Sequence, residues 1–159
     1  MYEVVLLDSG PLGLLVNEPA ALRKPLTDWT ESLAVLGRRL VLPESSDYEI
    51  RRELLRLTIG PDKPRWAVDG IARLDRLCSR LTYYPISTTI MRRAAELWAE
   101  ARRRGRPAAP DEHMDFDMIL AAMAQVVRDQ GFSVVVATDN VRHFLDFIDA
   151  RPWHDISAA

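Results

Sequence analysis

The stretch EVVLLD, residues 3–8, is a short and uninterrupted apolar run that ends in a carboxylate. A run of this length is typical of a β-strand that is covered on both faces, as the strands of a parallel sheet are. The residues SGP that follow indicate a turn, and proline is well tolerated at the first position of a helix. This stretch therefore predicts a strand, a turn and a helix in succession, with Asp8 at the carboxyl end of the strand.

The same alternation continues along the chain. Apolar runs predict further strands at residues 38–42, 81–86 and 132–137, and an edge strand near residues 154–156. Helical spacing of apolar residues predicts helices at residues 24–37, from Ser45 or Ser46 to 57, 66–77, from Ser87 or Thr88 to 105, and 117–128, with a short helix after residue 140. Strands that alternate with amphipathic helices are typical of an α/β domain with a mostly parallel sheet.

Length and composition limit the other possibilities. The chain has 159 residues, of which 48% are hydrophobic, and this predicts a single domain over residues 1–159 with one sizeable core. The formal net charge of −2 excludes a basic coat, so a polyanion would have to bind locally. The single cysteine, Cys78, excludes an intrachain disulfide. The sequence shows neither a long apolar span nor a signal peptide, which predicts a cytoplasmic protein without a membrane partner.

Four carboxylates each stand beside an apolar run. They are Asp8, Glu49, Asp117 and Asp139. Asp8 and Asp139 follow predicted strands, and in open α/β sheets ligands bind at the carboxyl ends of the strands. Hard divalent cations such as Mg²⁺ and Mn²⁺ take oxygen ligands, so the pattern predicts a site for one of them. Each acid also has an ordinary structural interpretation, as a turn residue, a helix cap or a residue in the first turn of a helix.

Other polar groups have weaker interpretations. Arg102, Arg103 and Arg104 end a predicted helix, where they either complement the helix dipole in solvent or contact phosphate groups. His143, like the other two histidines, belongs to no metal-binding motif such as H-E-x-x-H and is interpreted as a surface or packing residue. The sequence contains neither G-x-x-x-x-G-K-[ST] nor G-x-G-x-x-G, which excludes the common nucleotide-binding loops.

Four segments in a fixed order carry a resemblance to a known family. They are LLDSGPLGLL (6–15), YEIRREL (48–54), DFDMILAAMA (115–124) and VVVATDNVRHF (134–144). Together they resemble a PIN-domain ribonuclease of the VapC toxin type over nearly the whole chain. The resemblance implies a PIN-like α/β/α sandwich with a mostly parallel sheet, and an acidic pocket that uses Mg²⁺ or Mn²⁺ to hydrolyse RNA. It also implies a small antitoxin that covers the active site, and a homodimer.

The acids of that family can be matched to this sequence one by one. The first matches Asp8. The second, at the start of a helix, best matches Glu49, with Glu53 one helical turn later as its competitor. The third matches Asp117, although Asp115 could take or share its role. In such a site the acids would hold the ion, and Glu49 would either bind it or hold the attacking water.

The fourth position departs from the family pattern. The family's polar residue stands two places after the threonine, which here is Asn140, whereas the carboxylate Asp139 follows Thr138 directly. If Asn140 occupied the site, the cluster would carry one charge fewer and bind metal more weakly. Thr138 could donate a hydrogen bond to a carboxylate or to the scissile phosphate.

Two alternatives from other functional classes stay open. A phosphatase with an aspartyl nucleophile at Asp8 would resemble D-x-D, but residue 10 is glycine. A catalytically silent relative that serves as a binding module would carry an incomplete set of acids, and Asn140 is consistent with it.

Overall fold

A five-stranded sheet forms the centre of the protein in the computed structural model, which describes residues 1–17, 19–105 and 111–157. The strands are β1 (Val4–Leu7), β2 (Arg39–Pro43), β3 (Thr82–Tyr84), β4 (Val134–Ala137) and β5 (Ala150–Arg151). Their order in the sheet is β3-β2-β1-β4-β5, and each neighbouring pair is parallel. The predicted parallel sheet is confirmed, and its central strands β1 and β4 are buried along their whole length, as continuous apolar runs require.

Helices cover both faces of this sheet. They are α1 (Ser9–Asn17), α2 (Ala20–Val35), α3 (Glu44–Thr58), α4 (Arg65–Arg80), α5 (Thr88–Arg103) and α6 (Asp111–Asp129). Alternate residues of β1 point to opposite faces: Val4 and Leu6 pack with the core of α5 and α6, and Val5 and Leu7 pack with that of α2. The predicted α/β/α sandwich is confirmed. Within the described residues, none of the helices is long and apolar enough to cross a membrane.

The order of the strands reverses beside β1. The chain first moves outward from β1 to β2 and β3, and α5 and α6 then carry it back across the sheet to β4, on the other side of β1. Leu7 pairs with Ala137 in the sheet register, so Asp8 and Thr138 leave the sheet side by side. Such a switch point opens a crevice at the carboxyl edge, where α/β proteins bind their ligands.

Small residues let α6 approach the sheet closely. Ala121, Ala122 and Ala124 are fully buried in the core that contains Leu6 and Val136. A longer side chain at these positions would hold the helix away from the strands, because protein cores are close-packed. Asp117 lies one turn before Ala121 on the same helix, so this close packing also fixes the distance of Asp117 from the sheet.

The start of α3 differs from the prediction. Neither Ser45 nor Ser46 caps the helix: Pro43 is the N-cap residue, and both serines lie buried inside the first turn. The Ser46 hydroxyl donates to the Leu7 carbonyl at 2.8 Å, which satisfies a buried polar group and ties α3 to the end of β1. The cap predicted for α5 is confirmed, because the Ser87 hydroxyl accepts from the Ile90 N–H.

The C-terminal segment also differs. The edge strand is Ala150–Arg151 instead of residues 154–156, where a 3₁₀ turn spans Trp153–Asp155. The helix predicted after residue 140 is a 3₁₀ turn at Val141–His143. Both predictions were based on apolar residues, and two of these, Phe144 and Ile156, are buried in the structure. A buried residue in a short segment can belong to a turn as easily as to a strand or helix.

Enlarging a small residue of α6 should destabilise the protein. Ala122→Leu places extra methyl groups in a filled core, and we expect the free energy of unfolding to fall by about 1–3 kcal/mol in urea denaturation. The matched control is Ala99→Leu on the exposed face of α5, which should change it by no more than a few tenths of a kcal/mol. Equal effects of the two substitutions would contradict the close packing of α6.

Candidate metal centre

Asp8 is a buried carboxylate at the switch point of the sheet. It is 6% exposed, and its Oδ2 accepts a hydrogen bond from the Thr138 hydroxyl at 2.6 Å, while Oδ1 accepts from the Ser9 N–H at 2.7 Å. Burial raises the pKa of Asp8, the charge of Asp139 raises it further, and the donors Thr138 and Ser9 oppose the rise. The free energy of ionising Asp8 is therefore unfavourable unless a further positive charge lies nearby.

Thr138 joins Asp8 to the loop that follows β4. Its side chain is fully buried, its hydroxyl donates to Asp8, and the same oxygen accepts from the Asn140 N–H at 3.0 Å. A hydroxyl can donate and accept at once, so Thr138 both orients the Asp8 carboxylate and fixes the loop at Asn140.

Asp139 lies against the start of α1. A Cβ atom built on Gly10 would lie 2.7 Å from Asp139 Oδ2, so the carboxylate occupies space that only glycine leaves open. The charge of Asp139 acts on Asp8, whereas Asn140 takes part through its backbone: its N–H donates to Thr138, and its carbonyl accepts from the His143 N–H. Of the two candidates for the fourth position, the structure places the carboxylate Asp139 beside Asp8.

Glu49 brings a third element, α3, to the same place. It is half-buried, and its pKa is raised to about 7 by burial and by the negative charges of Asp8 and Asp117. Arg52 and a hydrogen bond from Ser9 lower this pKa but do not cancel the rise. The strand β1 and the helices α3 and α6 thus bring three carboxylates within electrostatic reach of one another.

Asp117 is held by a histidine that the sequence did not single out. Its Oδ2 accepts a hydrogen bond from His143 Nδ1–H at 2.7 Å, and the two side chains are 16% and 22% exposed. When Asp117 is ionised it can only accept, so the proton then lies on the histidine nitrogen. The interpretation of His143 as an ordinary surface or packing residue is therefore incomplete. The one available signal was its position in the loop that also carries Thr138 and Asp139.

The structure does not bring the remaining candidates into this cluster. Glu53 is exposed and forms ion pairs with Arg56 at 3.1 Å and Arg52 at 4.0 Å. Asp115 is exposed and lines a shallow cleft between α5 and α6.

The basic end of α5 is partly occupied by contacts within the chain. Arg104 pairs with Glu100 and with Asp146, and the Arg102 guanidinium lies 5.0 Å from the centre of the Trp98 ring. Arg103 is exposed. These contacts favour the structural interpretation of this helix end, while Arg103 stays accessible to solvent.

The chemistry of the donors fits a hard divalent cation. The cluster offers carboxylate oxygens, and burial together with like charge destabilises their ionised forms, which a cation would relieve. Among the side chains that the structure describes, no three His, Cys, Asp or Glu form a group ready to hold a metal. Mg²⁺ needs no such cage, since it is usually bound by one or two carboxylates together with waters and a substrate phosphate. The residues thus fit a metal site in which carboxylates supply some of the ligands and water or substrate supplies the rest.

Solved structures share this architecture. A chain of VapBC2 from Rickettsia felis, bound to a DNA fragment from its promoter, is 14% identical with a TM-score of 0.67, over 94% of this chain and 98% of that one. DNA-bound VapBC from Salmonella typhimurium is 21% identical with a TM-score of 0.63, over 96% and 99%. FitAcB from Neisseria gonorrhoeae is 20% identical with a TM-score of 0.60, over 94% and 99%.

The chain has the PIN-like α/β/α fold of VapC proteins. The resemblance predicted from the four sequence segments is thus confirmed at the level of the fold. No protein-family model matches the sequence, and no curated protein matches it. At these identities the PIN-like fold is what the comparison shows, and the chemistry has to be argued from the site.

Neutralising Glu49 of this PIN-like domain should stabilise it at high pH. The folded protein holds a proton on Glu49 up to a pKa of about 7, whereas the unfolded chain releases it near 4.5, so the free energy of unfolding falls as pH rises through this window. Glu49→Gln removes that loss. Allowing for partial exposure, we expect a gain of about 1–2 kcal/mol at pH 8 and little change at pH 5, measured by urea denaturation in EDTA.

The matched control for this measurement is Glu53→Gln. Glu53 lies on the same helix but outside the cluster, so its substitution should change stability by the same small amount at both pH values. A pH-independent effect of Glu49→Gln would contradict the electrostatic coupling between Glu49, Asp8 and Asp117.

Proposed function

We propose that this protein is a metal-dependent endoribonuclease that hydrolyses RNA phosphodiester bonds with Mg²⁺ or Mn²⁺. The observation that carries the proposal is the convergence of Asp8, Glu49 and Asp117 from three elements at the switch point of the sheet. Stability alone does not explain this arrangement, because buried like charges destabilise a fold. The similarity of the fold to VapC proteins supports the same conclusion.

Asp8 and Asp117 are the residues that would hold the ion, with Asp139 beside Asp8. Thr138 and Ser9 orient Asp8, and His143 orients Asp117, so both carboxylates are positioned before an ion arrives. A bound divalent ion would lower the pKa of a water molecule and neutralise charge that develops on the phosphate oxygens.

Glu49 is the group suited to move a proton. Before an ion binds, the pKa of the Glu49 carboxyl is about 7, so it can exchange a proton with a water molecule near neutral pH, where an ordinary glutamate stays ionised. We therefore assign Glu49 to holding and deprotonating the attacking water.

We also propose that the protein acts as the toxin of a toxin–antitoxin pair in the cytoplasm, where its RNA substrate is found. The similar chains come from structures of VapBC and FitAcB. The VapC resemblance implies a small antitoxin that covers the acidic site, and a homodimer. Both partners are parts of this proposal.

Removal of either principal acid should abolish cleavage. We expect purified protein to cleave a mixed labelled RNA pool with Mg²⁺ or Mn²⁺ and not with EDTA. Asp8→Asn and Asp117→Asn should each lose at least about 100-fold in rate, because each removes a charge that the ion requires. The matched control is Asp115→Asn, two residues from Asp117 on the same helix, which should keep the wild-type rate.

The opposite outcome is equally informative. If folded wild-type protein, freed of any bound partner, cleaves no RNA with either ion, the catalytically silent binding module is the better description.

Loss of the histidine that orients Asp117 should weaken metal binding without abolishing it. His143→Phe leaves Asp117 charged but without its hydrogen bond, and we expect the Mn²⁺ concentration for half-maximal cleavage to rise roughly 10- to 100-fold. The maximal rate at saturating Mn²⁺ should fall much less. His154→Phe, an exposed histidine in the last 3₁₀ turn, serves as the control. An unchanged Mn²⁺ requirement in His143→Phe would show that His143 has no part in positioning Asp117.

A further inference from the structure

Beside the acidic residues lies a cluster of two aromatic rings and one arginine. Tyr48 directly precedes Glu49 on α3, Phe116 directly precedes Asp117 on α6, and Arg52 follows Tyr48 by one helical turn. We call these three residues the aromatic platform. Each aromatic residue of the platform is thus the neighbour in sequence of an acid that the proposed function uses.

The platform is built by ring contacts between the two helices. The centres of the Tyr48 and Phe116 rings lie 5.6 Å apart, with planes inclined by 28°, which is a stacked arrangement. The guanidinium carbon of Arg52 lies 4.8 Å from the centre of the Phe116 ring and 5.7 Å from that of Tyr48. Cation–π attraction at these distances keeps the arginine against the rings.

Hydrogen bonds contribute less than the rings to the placement of Arg52. Its Nε is buried and has no hydrogen-bond partner among the residues that the structure describes, and Glu53 Oε1 lies 4.0 Å away. The positive charge of Arg52 is close enough to Glu49 to lower the pKa of that carboxyl. The platform therefore lies next to the acidic cluster and carries the opposite charge.

Tyr48 is open to solvent although it belongs to this cluster. It is 55% exposed, while Phe116 and Arg52 are partly buried beneath the same contact. An ordered aromatic ring that is held from one side and exposed on the other can stack with a second planar group. The bases of RNA are such groups, and every base has a π-face.

A nucleic acid needs local contacts of this kind on this chain. The net charge of −2 provides no general attraction for a polyanion, and the acidic cluster repels phosphate unless a cation is bound. Stacking on an aromatic ring beside a guanidinium is independent of that cation. It also suits a substrate whose bases are unpaired, since bases inside a duplex are already stacked.

We propose that Tyr48, Arg52 and Phe116 bind, by stacking, an unpaired base of the nucleotide next to the bond that is cleaved. This inference rests on the proposed ribonuclease function and assigns to these three residues the contact with the base next to the scissile bond. Stacking area is larger for purines, so a modest preference for a purine at that nucleotide follows.

The first test measures binding without turnover. Short single-stranded RNA that carries one 2-aminopurine is titrated with protein in EDTA, and quenching of its fluorescence reports stacking. We expect quenching by the wild type and by Tyr48→Phe, which keeps the ring. Tyr48→Leu should weaken binding about tenfold, which is within the range for loss of a base-stacking aromatic. Trp66→Leu, which removes an aromatic residue of similar exposure on α4, should behave as the wild type.

The second test measures cleavage, with an intact RNA and one that lacks the base next to the scissile bond. In the wild type, loss of the base should reduce kcat/KM about tenfold, whereas in Tyr48→Leu the two RNAs should be cleaved equally. If Tyr48→Leu instead slows cleavage of both RNAs by the same factor, or of neither RNA, the stacking proposal is overturned. The proposed ribonuclease function is then unaffected.

The two proposals can fail separately. If the wild type cleaves no RNA but quenches 2-aminopurine in a Tyr48-dependent way, the ribonuclease function is overturned and the platform is supported as an RNA-binding site. If Tyr48→Leu retains quenching and cleavage but no longer associates with a partner protein, the platform is a protein contact and the stacking proposal is overturned.

Discussion

The hydrogen bond from Thr138 to Asp8 is the contact on which the rest of the site depends. It joins two side chains that leave adjacent parallel strands at the same level, because Leu7 pairs with Ala137 in the sheet. Both partners are buried, so the carboxylate cannot turn to solvent and its remaining interactions are decided by what the helices bring to it. A shift of one residue between β1 and β4 would point Thr138 to the other face of the sheet and separate the pair.

Each principal acid is held in a different way. Asp8 accepts hydrogen bonds from the Thr138 hydroxyl, just after β4, and from the Ser9 N–H at the start of α1, and Asp117 accepts from His143. Glu49 is the acid whose pKa rises to about 7. The proposed function accordingly assigns ion binding to Asp8 and Asp117 and proton transfer to Glu49. The same electrostatic repulsion lowers stability at neutral pH, as is common at functional sites.

The contact between α3 and α6 serves two purposes at once. Glu49 and Asp117 face the crevice from these helices, while their sequence neighbours Tyr48 and Phe116 stack on each other and hold Arg52. Any change in the separation of the two helices would alter both the acidic cluster and the aromatic platform. The small residues of α6 and the bond from Ser46 to the Leu7 carbonyl fix this separation from the side of the core.

The sequence by itself determined the layered α/β architecture and indicated Asp8 as a candidate acid, because these depend on local periodicity and on residues at strand ends; Glu49 and Asp117 were indicated by the family resemblance. EVVLLD and FSVVVATD are recognisable as buried strands whatever surrounds them, and Asp8 follows from the first of them. Only the tertiary structure decided that Asp139 lies beside Asp8 against Gly10, that His143 holds Asp117, and that Tyr48 stacks on Phe116. Those contacts join residues from separate elements, and their distances are set by sheet register and helix packing, which no local pattern encodes.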